Sequence, residues 1–489
     1  MTRRFSSRGL SRSVAAVRGT ARRAALGAAL LGCATFSLPG AANAEMLAPD
    51  YSHIHQRVMD NGLTVVVLEN QAVPIVTIEI AARNGAFTEP PELNGLSHLY
   101  EHMFFKANAL IPNQESYLAR IRQLGMVFNG TTSSERVNYY FTLQRHNLRE
   151  GLEFMAAAIK TPAFDEGELE REREVVLGEY DRNEANPYYF MFEAIAELLW
   201  YEYPTRKDSL GDRVTISTAT VEQMQWMQET YYIPNNSLLI LSGAVSPEDG
   251  FAMAEEFFAD WERGEDPFEA YPIPEHPPLQ GTRGVVVQQP VSAPVVQLAW
   301  HGPDTRNDID ATYAADVFSF ILSQTGSEFQ EALVESGVAL GASIGYSTQR
   351  YVGPISLTLQ VTPDNVERAI EIANEQIALF ANDDYFTDAQ METAQTLLAI
   401  DDLYGQQRTD NLAHTLSYWW CTASLDYYLT YLDQLAAVER SDIRDYVNEY
   451  IIGQPRVSVL LADEAAIGAA GFTDEWLTER IVAGVEVAQ

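Results

Sequence analysis

The strongest constraint on the fold is a repeat, because the second half of the chain follows the same order of segments as the first. Residues 386–404 line up with residues 164–180, and residues 450–460 line up with residues 232–241. Each half also opens with two short apolar runs of β type: residues 63–68 and 75–82 in the first half, and residues 285–287 and 295–300 in the second. A duplicated order of strands and helices predicts two homologous modules.

Inside each half, alternating apolar residues typical of strands are mixed with the longer periodicity typical of helices. The pattern predicts an α+β fold in which each module has an antiparallel-rich sheet covered by helices on one face. We expect the first module over residues 45–263 and the second over residues 285–489. Between them, residues 264–284 contain five prolines, which is typical of an extended and fairly stiff linker.

The first 44 residues have the pattern of an export signal. They hold seven arginines and no acidic residue, and an apolar stretch over residues 24–38 precedes the small residues at 42–44. We therefore expect a cleaved signal peptide and a periplasmic or secreted protein. A partial lipobox ends at Cys33, so lipid anchoring through this cysteine is the alternative. No later segment is long and apolar enough to predict a transmembrane helix.

The charge of the chain limits its partners. The net charge of −36 repels nucleic acid and anionic lipid, so we expect no nucleic-acid partner. The same charge favours cationic partners, but it equally suits a secreted protein kept soluble by charge or a protein from a salty habitat.

A metal-binding pattern lies in the first half, at His98, Glu101 and His102. On a helix, two histidines four residues apart project from one face, which is the spacing needed to hold one small cation. Imidazole suits zinc, and a catalytic zinc needs a third protein ligand. The acidic helix over residues 166–179 is the obvious source, since Glu172 and Glu179 share one of its faces. The alternative is that the motif, and Glu172 in particular, lies on a solvated helix face.

These segments resemble the pitrilysin/insulinase family of inverted-motif zinc metallopeptidases, and most of all the subgroup of mitochondrial processing peptidase and its bacterial two-subunit relatives. The resemblance rests on residues 94–106, NGLSHLYEHMFFK, and residues 170–179, EREREVVLGE. It implies a processing-peptidase-like fold and one Zn²⁺ per chain. The implied roles are these: metal ligands His98, His102 and Glu179, general base Glu101, and supporting acid Glu172.

The resemblance also implies a binding site for peptide substrates. In the family, the segment corresponding to Phe128, Asn129 and Gly130 is the sheet edge beside the zinc, where a substrate peptide adds as an extra strand. An exposed edge offers unpaired backbone groups that bind extended peptides without reading their side chains. The alternative for Asn129 is a turn residue before Gly130.

The second half differs from the first half in its motif and departs from the family at two further positions. It carries no HxxEH motif in the helix expected around residues 317–322, so we expect a non-catalytic module. Family members that act alone or as homodimers usually carry an Arg and a Tyr there, but this chain has Val334 and Leu340 at about those positions. By analogy, we expect a homologous partner subunit that supplies the Arg/Tyr pair.

Three functions are consistent with these patterns. The first is a zinc-dependent endopeptidase that hydrolyses peptides in a periplasmic or extracytoplasmic compartment, as the catalytic subunit of a heterodimer. The second is a non-catalytic scaffold or assembly subunit of a peptidase-like complex, which the intact motif argues against. The third is a metal-binding protein or a metal-dependent hydrolase of another bond.

Overall fold

The computed structural model describes residues 51–202, 208–406 and 408–487, all within one compact unit. The predicted signal peptide and Cys33 lie outside these residues. The first sheet has six strands: β1 Ile54–Val58, β2 Thr64–Glu69, β3 Ile75–Ala82, β4 Val127–Thr132, β5 Val137–Gln144 and β6 Ser237–Gly243. Their spatial order is β1-β2-β6-β3-β5-β4, and every pair is antiparallel except β2 with β6. β4 is therefore an edge strand.

The helices of the first half, except the fifth, cover the inner face of this sheet. They are α1 Leu96–Phe104, α2 Gln114–Leu124, α3 Leu148–Lys160, α4 Glu166–Glu184, α5 Pro187–Leu199, α6 Arg213–Thr218, α7 Val221–Tyr231, α8 Pro247–Phe258 and α9 Pro267–Ala270. Alternate residues of the strands, such as Val65, Ile78 and Leu239, point inward and form one core with these helices, α5 excepted. Burial of this apolar face is the main force that holds the layers together.

The second half repeats the design. Its sheet contains β7 Arg283–Gln288, β8 Val295–His301, β9 Ala339–Tyr346, β10 Pro354–Val361 and β11 Val457–Ala462, in the order β7-β11-β8-β10-β9. This is the order of the first sheet without its outer strand β1. Only the pair β7 with β11 is parallel, and it corresponds to the parallel pair β2 with β6 of the first sheet. The predicted fold class, two similar modules with helix-covered sheets, is confirmed.

The helices of the second half are α10 Ile309–Ser323, α11 Glu328–Gln330, α12 Val366–Leu379, α13 Asp388–Gly405, α14 Thr409–Thr422, α15 Leu425–Ala437, α16 Arg440–Tyr450, α17 Glu464–Ala470 and α18 Asp474–Val487. α11 runs on into a π-helical turn, Glu331–Glu335, which carries Val334. Leu340 lies on the edge strand β9 and is 59% exposed. Within the described ranges, no helix combines the length and the apolar composition that a membrane span requires.

The outer face of the second sheet is covered by a helix from the first half. α5 follows α4 in sequence, and its residues Met191, Ile195 and Leu199 share a buried cluster with Val459 and Leu461 of β11. This contact was not predicted, because apolar residues at helical spacing do not specify which surface a helix covers.

The outer face of the first sheet is covered in return by a helix from the second half. α14 follows α13, and its residues Leu412, Leu416 and Trp420 pack with Val66 of β2 and Ile240 of β6. Because α5 and α14 occupy the same place in the repeat, the exchange is reciprocal. Each sheet therefore has helices on both faces, whereas the sequence predicted a helical layer on one face only.

Candidate metal centre

The helix α1 presents one apolar face and one polar face. Leu99, Tyr100 and Met103 are fully buried against the sheet, which turns His98 and His102 towards the opposite side. The helix starts after Gly95. The φ of this residue, 96°, lies in the left-handed region that favours glycine.

A buried carboxylate caps the start of α1. Glu89 accepts hydrogen bonds from the backbone N–H of Gly95 at 2.7 Å and of Ser97 at 2.5 Å. These are two of the donors that a helix leaves free at its first turn, where negative charge is favourable. Burial raises the pKa of Glu89 to about 7, although the hydrogen bonds lower it. The contact fixes the backbone immediately before His98.

The acidic helix α4 supplies carboxylates from the side that faces α1. α4 begins at the cap Asp165, whose side chain accepts a hydrogen bond from the backbone N–H of Glu168. Leu169 and Val176 are fully buried in the core. With one face fixed in this way, Glu172 and Glu179 point towards α1.

The three predicted metal ligands meet in space. Nε2 of His98 lies 3.6 Å from Oε2 of Glu179, and Nε2 of His102 lies 3.9 Å from the same oxygen. One ligand atom from each of the three residues lies within 4.8 Å of the others. Zinc–nitrogen and zinc–oxygen bonds of about 2.0–2.1 Å at tetrahedral angles place ligand atoms roughly 3.3 Å apart, so a small closure would bring this set onto one ion. Two neutral imidazoles and one carboxylate fit zinc.

Glu172 binds the other nitrogen of His102. Its Oε2 lies 3.0 Å from Nδ1 of His102, and its Oε1 lies 2.6 Å from Nζ of Lys106. Burial alone would raise the pKa of Glu172, but the hydrogen bonds from His102 and Lys106 outweigh it and leave the pKa below its ordinary value. An ionised carboxylate on Nδ1 holds the proton there and leaves Nε2 free for a metal.

His98 is suited to metal binding by its surroundings. Burial, followed by the neighbouring charge of His102, lowers the pKa of His98 to about 4. The imidazole is therefore neutral near pH 7, which is the form that ligates metals. Its Nδ1 is buried and has no hydrogen-bond partner among the described residues.

Glu101 lies between α1 and the edge strand β4. Its Oε2 accepts a hydrogen bond of 2.7 Å from Oγ1 of Thr132. Burial raises the pKa of Glu101, whereas the Thr132 hydroxyl lowers it. The Glu101 carboxylate lies close enough to His102 and Glu179 to interact with their charges, but it is outside the group of three ligand residues.

The predicted peptide-binding residues lie on this edge strand. Phe128 packs against Phe105, with ring centroids 5.1 Å apart, and Gly130 is buried against Glu101. Asn129 is exposed and lies opposite Tyr140 inside the ladder. The alternative that Asn129 is a turn residue is therefore wrong.

The second sheet lacks the space for such a base. Gly130 of β4 lies opposite Tyr139 of β5. In the second sheet, β9 and β10 correspond to β4 and β5, and at the equivalent position Ile344 of β9 lies opposite Leu357 of β10. A branched side chain thus stands where the first half has no side chain at all.

The second half also lacks the two histidine ligands, although it keeps one carboxylate at the position of Glu179. Counted from the start of each helix, Ala394 and Asp401 of α13 replace Glu172 and Glu179 of α4. The helix α10, which packs on α13 as α1 packs on α4, contains no histidine. Among the described residues, the set at α1 and α4 is the only group of metal-ligand type.

Sequence reasoning missed three residues of the site. The sequence did indicate Lys106, because it lies four residues after His102. At the end of α1, this spacing places the two side chains on the same side. The sequence indicated Thr132 too, because alternate residues of a strand share a face and it is two residues after Gly130. It did not indicate Glu89, because its cap depends on the path of the loop before α1.

Comparison with known proteins agrees with the geometry. Residues 64–213 match the family model described as Insulinase (Peptidase family M16), and residues 218–398 match the model described as Peptidase M16 inactive domain. An uncharacterized zinc protease of Rickettsia felis is 28% identical over 207 residues, which is 42% of this chain and 50% of that protein. This chain therefore matches about half the length of that relative.

Two further proteins match over most of the chain. Zinc protease PqqE of Helicobacter pylori is 22% identical over 86% of this chain and 95% of its own length. The crystal structure of the first half of the periplasmic protease PqqL from Escherichia coli shares the fold with a TM-score of 0.71, at 14% identity, over 88% of this chain and 97% of that one. From the two family models and these relatives, the chain belongs to the insulinase family of zinc proteases, peptidase family M16.

Proposed function

We propose that the chain is an active zinc-dependent endopeptidase with one Zn²⁺ per chain. The observation that carries the proposal is the convergence of His98, His102 and Glu179 from two helices, with Glu101 beside them. Two imidazoles and one carboxylate are a ligand set of catalytic zinc sites, in which the fourth position stays open for the reaction.

The residues then have distinct roles. Zinc, when bound, supplies Lewis acidity to a peptide carbonyl and to a water molecule. Glu101 accepts a proton from the attacking water and passes it to the leaving amine. Glu172 contacts neither the metal nor the substrate. It acts through His102, so it is a positioning residue rather than a catalytic one.

The substrate is an extended peptide bound along β4. The strand is at the edge of its sheet, and its outer backbone groups have no neighbouring strand in the part of the chain that the structure describes. A peptide paired there, along Phe128, Asn129 and Gly130, would run past Glu101 because that carboxylate packs on the same strand. Main-chain pairing gives affinity with little dependence on sequence.

The working form is a heterodimer with a homologous subunit that supplies an Arg/Tyr pair. Support comes from the apolar residues at the corresponding positions: Val334 is half-buried in a helical turn and Leu340 is exposed on β9.

The compartment is the periplasm. Support comes from the arginine-rich leader at residues 1–44 and from the shared fold with a periplasmic protease.

The proposal is tested by a peptidase assay on the chain co-purified with its partner from its native host. Zinc-loaded protein should cleave quenched fluorescent peptides, lose this activity to a chelator and regain it with zinc. Glu101→Gln should keep its zinc and lose at least about a hundredfold in kcat, the usual contribution of general-base catalysis. Cleavage by Glu101→Gln at the wild-type rate would refute the assigned base, and zinc binding without any cleavage by the co-purified complex would favour the scaffold function.

The subunit proposal needs a separate measurement. Gel filtration and peptidase assays would compare the purified chain alone with the chain co-purified from its native host. Full activity of a monomer would contradict the proposed partner.

A further inference from the structure

The carboxylate of Glu101 is held by the edge strand rather than by its own helix. Oγ1 of Thr132 donates a hydrogen bond of 2.7 Å to Oε2 of Glu101. Thr132 is on β4, thirty-one positions along the chain from Glu101, so the contact joins the strand proposed to pair with substrate to the proposed base.

The same strand makes room for this carboxylate. A Cβ at position 130 would lie 2.8 Å from Cγ and 3.0 Å from Oε1 of Glu101. Gly130 and Thr132 point to the same face of β4, since they are two residues apart. Glu101 therefore rests over a glycine and is fixed by the hydroxyl beside it, which confines the carboxylate to one position.

The end of β4 that carries Thr132 is itself anchored. Just beyond it, the carbonyl of Ser134 accepts a hydrogen bond of 2.7 Å from the backbone N–H of Phe87, in the loop before α1. The buried carboxylate of Glu135 accepts hydrogen bonds from the backbone N–H groups of Arg350 at 2.7 Å and Tyr351 at 3.0 Å. The second half, which lacks the metal site, thus supports the position of the Thr132 hydroxyl.

We propose that Thr132 is a positioning residue for peptide hydrolysis, whose hydroxyl fixes the Glu101 carboxylate in the orientation that the reaction requires. This inference rests on the proposed function. A base must lie within hydrogen-bond reach of the proton it takes, and small displacements of a catalytic group cost much of the rate.

The first test compares three variants in the peptidase assay. Thr132→Val, which keeps the shape and removes the hydroxyl, should lower kcat about 10- to 100-fold, the factor expected for losing a hydrogen bond to a charged group. KM and zinc content should stay within about twofold, because the Thr132 hydroxyl bonds to Glu101 and, among the described residues, makes no hydrogen bond to a proposed metal ligand. Thr132→Ser, which restores the hydroxyl, should recover most of kcat.

A matched control exists in the same sheet. The hydroxyl of Thr142 on β5 lies 2.9 Å from that of Thr77 on β3, away from the metal centre. Thr142→Val removes one threonine hydroxyl bond and should leave kcat unchanged. Equal kcat for wild type, Thr132→Val and Thr142→Val would overturn the inference.

The second test needs no activity. A double-mutant cycle in thermal unfolding would combine Thr132→Val with Glu101→Ala. Thr132→Val should lower the unfolding midpoint in the wild-type background and by less than half as much in the Glu101→Ala background. An additive cycle would show that the contact does not form and would overturn the inference. A non-additive cycle in a chain without peptidase activity would instead confirm the contact and refute the proposed function.

Discussion

The carboxylate of Glu172 lies 3.0 Å from Nδ1 of His102, whereas Glu179 lies on the Nε2 side of the same ring, at 3.9 Å. One imidazole therefore has a carboxylate at each nitrogen, and the two play different parts. Glu179 shares its oxygen with His98 and is placed to bind metal. Glu172 is turned towards Lys106 and is placed to orient the ring.

We predict that Glu172→Gln weakens zinc binding by about 10- to 100-fold, the usual effect of losing a partner that orients a metal-bound histidine. The amide removes the negative charge that holds the His102 proton on Nδ1. Competition with a chromophoric chelator would measure the affinity. Glu170→Gln, an exposed change on the same helix, is the control and should bind zinc as wild type does. Unchanged affinity in Glu172→Gln would mean that its contact with His102 has no role at the metal.

Gly130→Ala should reduce kcat by at least about tenfold with zinc retained. The new methyl would stand 2.8 Å from Cγ of Glu101, so the side chain must move, and a displaced base loses much of its contribution. Steady-state kinetics together with metal analysis would check this. A fully active Gly130→Ala protein would show that Glu101 can act from another position.

The stability of the second half should depend on pH through Asp316. Tyr431 donates a hydrogen bond of 2.6 Å to its carboxylate, and burial raises the pKa of Asp316 to about 7. The folded chain therefore keeps this proton up to about pH 7, whereas the unfolded chain releases it near pH 4. Stability from this group is present below about pH 4 and is lost as the pH rises towards 7.

Asp316→Asn removes this titration and should be more stable than wild type at pH 8 by roughly 2–4 kcal/mol, with the difference shrinking towards pH 4. Thermal unfolding of both proteins across this pH range would measure it. Asp310→Asn, an exposed change on the same helix, should follow the wild-type curve. The same pH dependence in Asp316→Asn as in wild type would contradict the assignment.

Neither module should fold by itself. In a chain limited to residues 45–263, Ile195 of α5 would lose its cover from the second sheet, and Val66 of β2 would lose its cover from α14. Exposed apolar faces of this kind lead to aggregation. Gel filtration and circular dichroism should show an aggregated or unfolded fragment, and co-expression with residues 264–489 should restore a soluble complex. A stable monomeric fragment would show that the exchanged helices add little.

Local patterns predicted much of this fold. β3, at Ile75–Ala82, lies where the apolar run predicted a strand, and α4, at Glu166–Glu184, contains the predicted acidic helix over residues 166–179. β1 was missed, because Ile54–Val58 mixes polar and apolar residues on a largely exposed edge. The exchange of α5 and α14 could not be predicted, since both helices contact strands far away in sequence.

The candidate site, like the fold, contains some features that the sequence predicted and others that only the structure shows. Spacing on a helix predicted that His98 and His102 share a face, and resemblance supplied Glu179 from seventy-seven positions away. The contact of Thr132 with Glu101 depends instead on how β4 lies against α1, which is a property of packing. The residues proposed to bind the metal could therefore be named from the sequence, whereas the residues that hold those groups in place required the structure.

The most direct test of the account is anomalous diffraction at the zinc absorption edge from crystals of the zinc-loaded chain. We predict one strong peak per chain, about 2.0–2.1 Å from Nε2 of His98, Nε2 of His102 and a carboxylate oxygen of Glu179. No peak at this position, or a peak that Glu179 does not bind, would contradict the proposed metal centre and the hydrolytic function that depends on it.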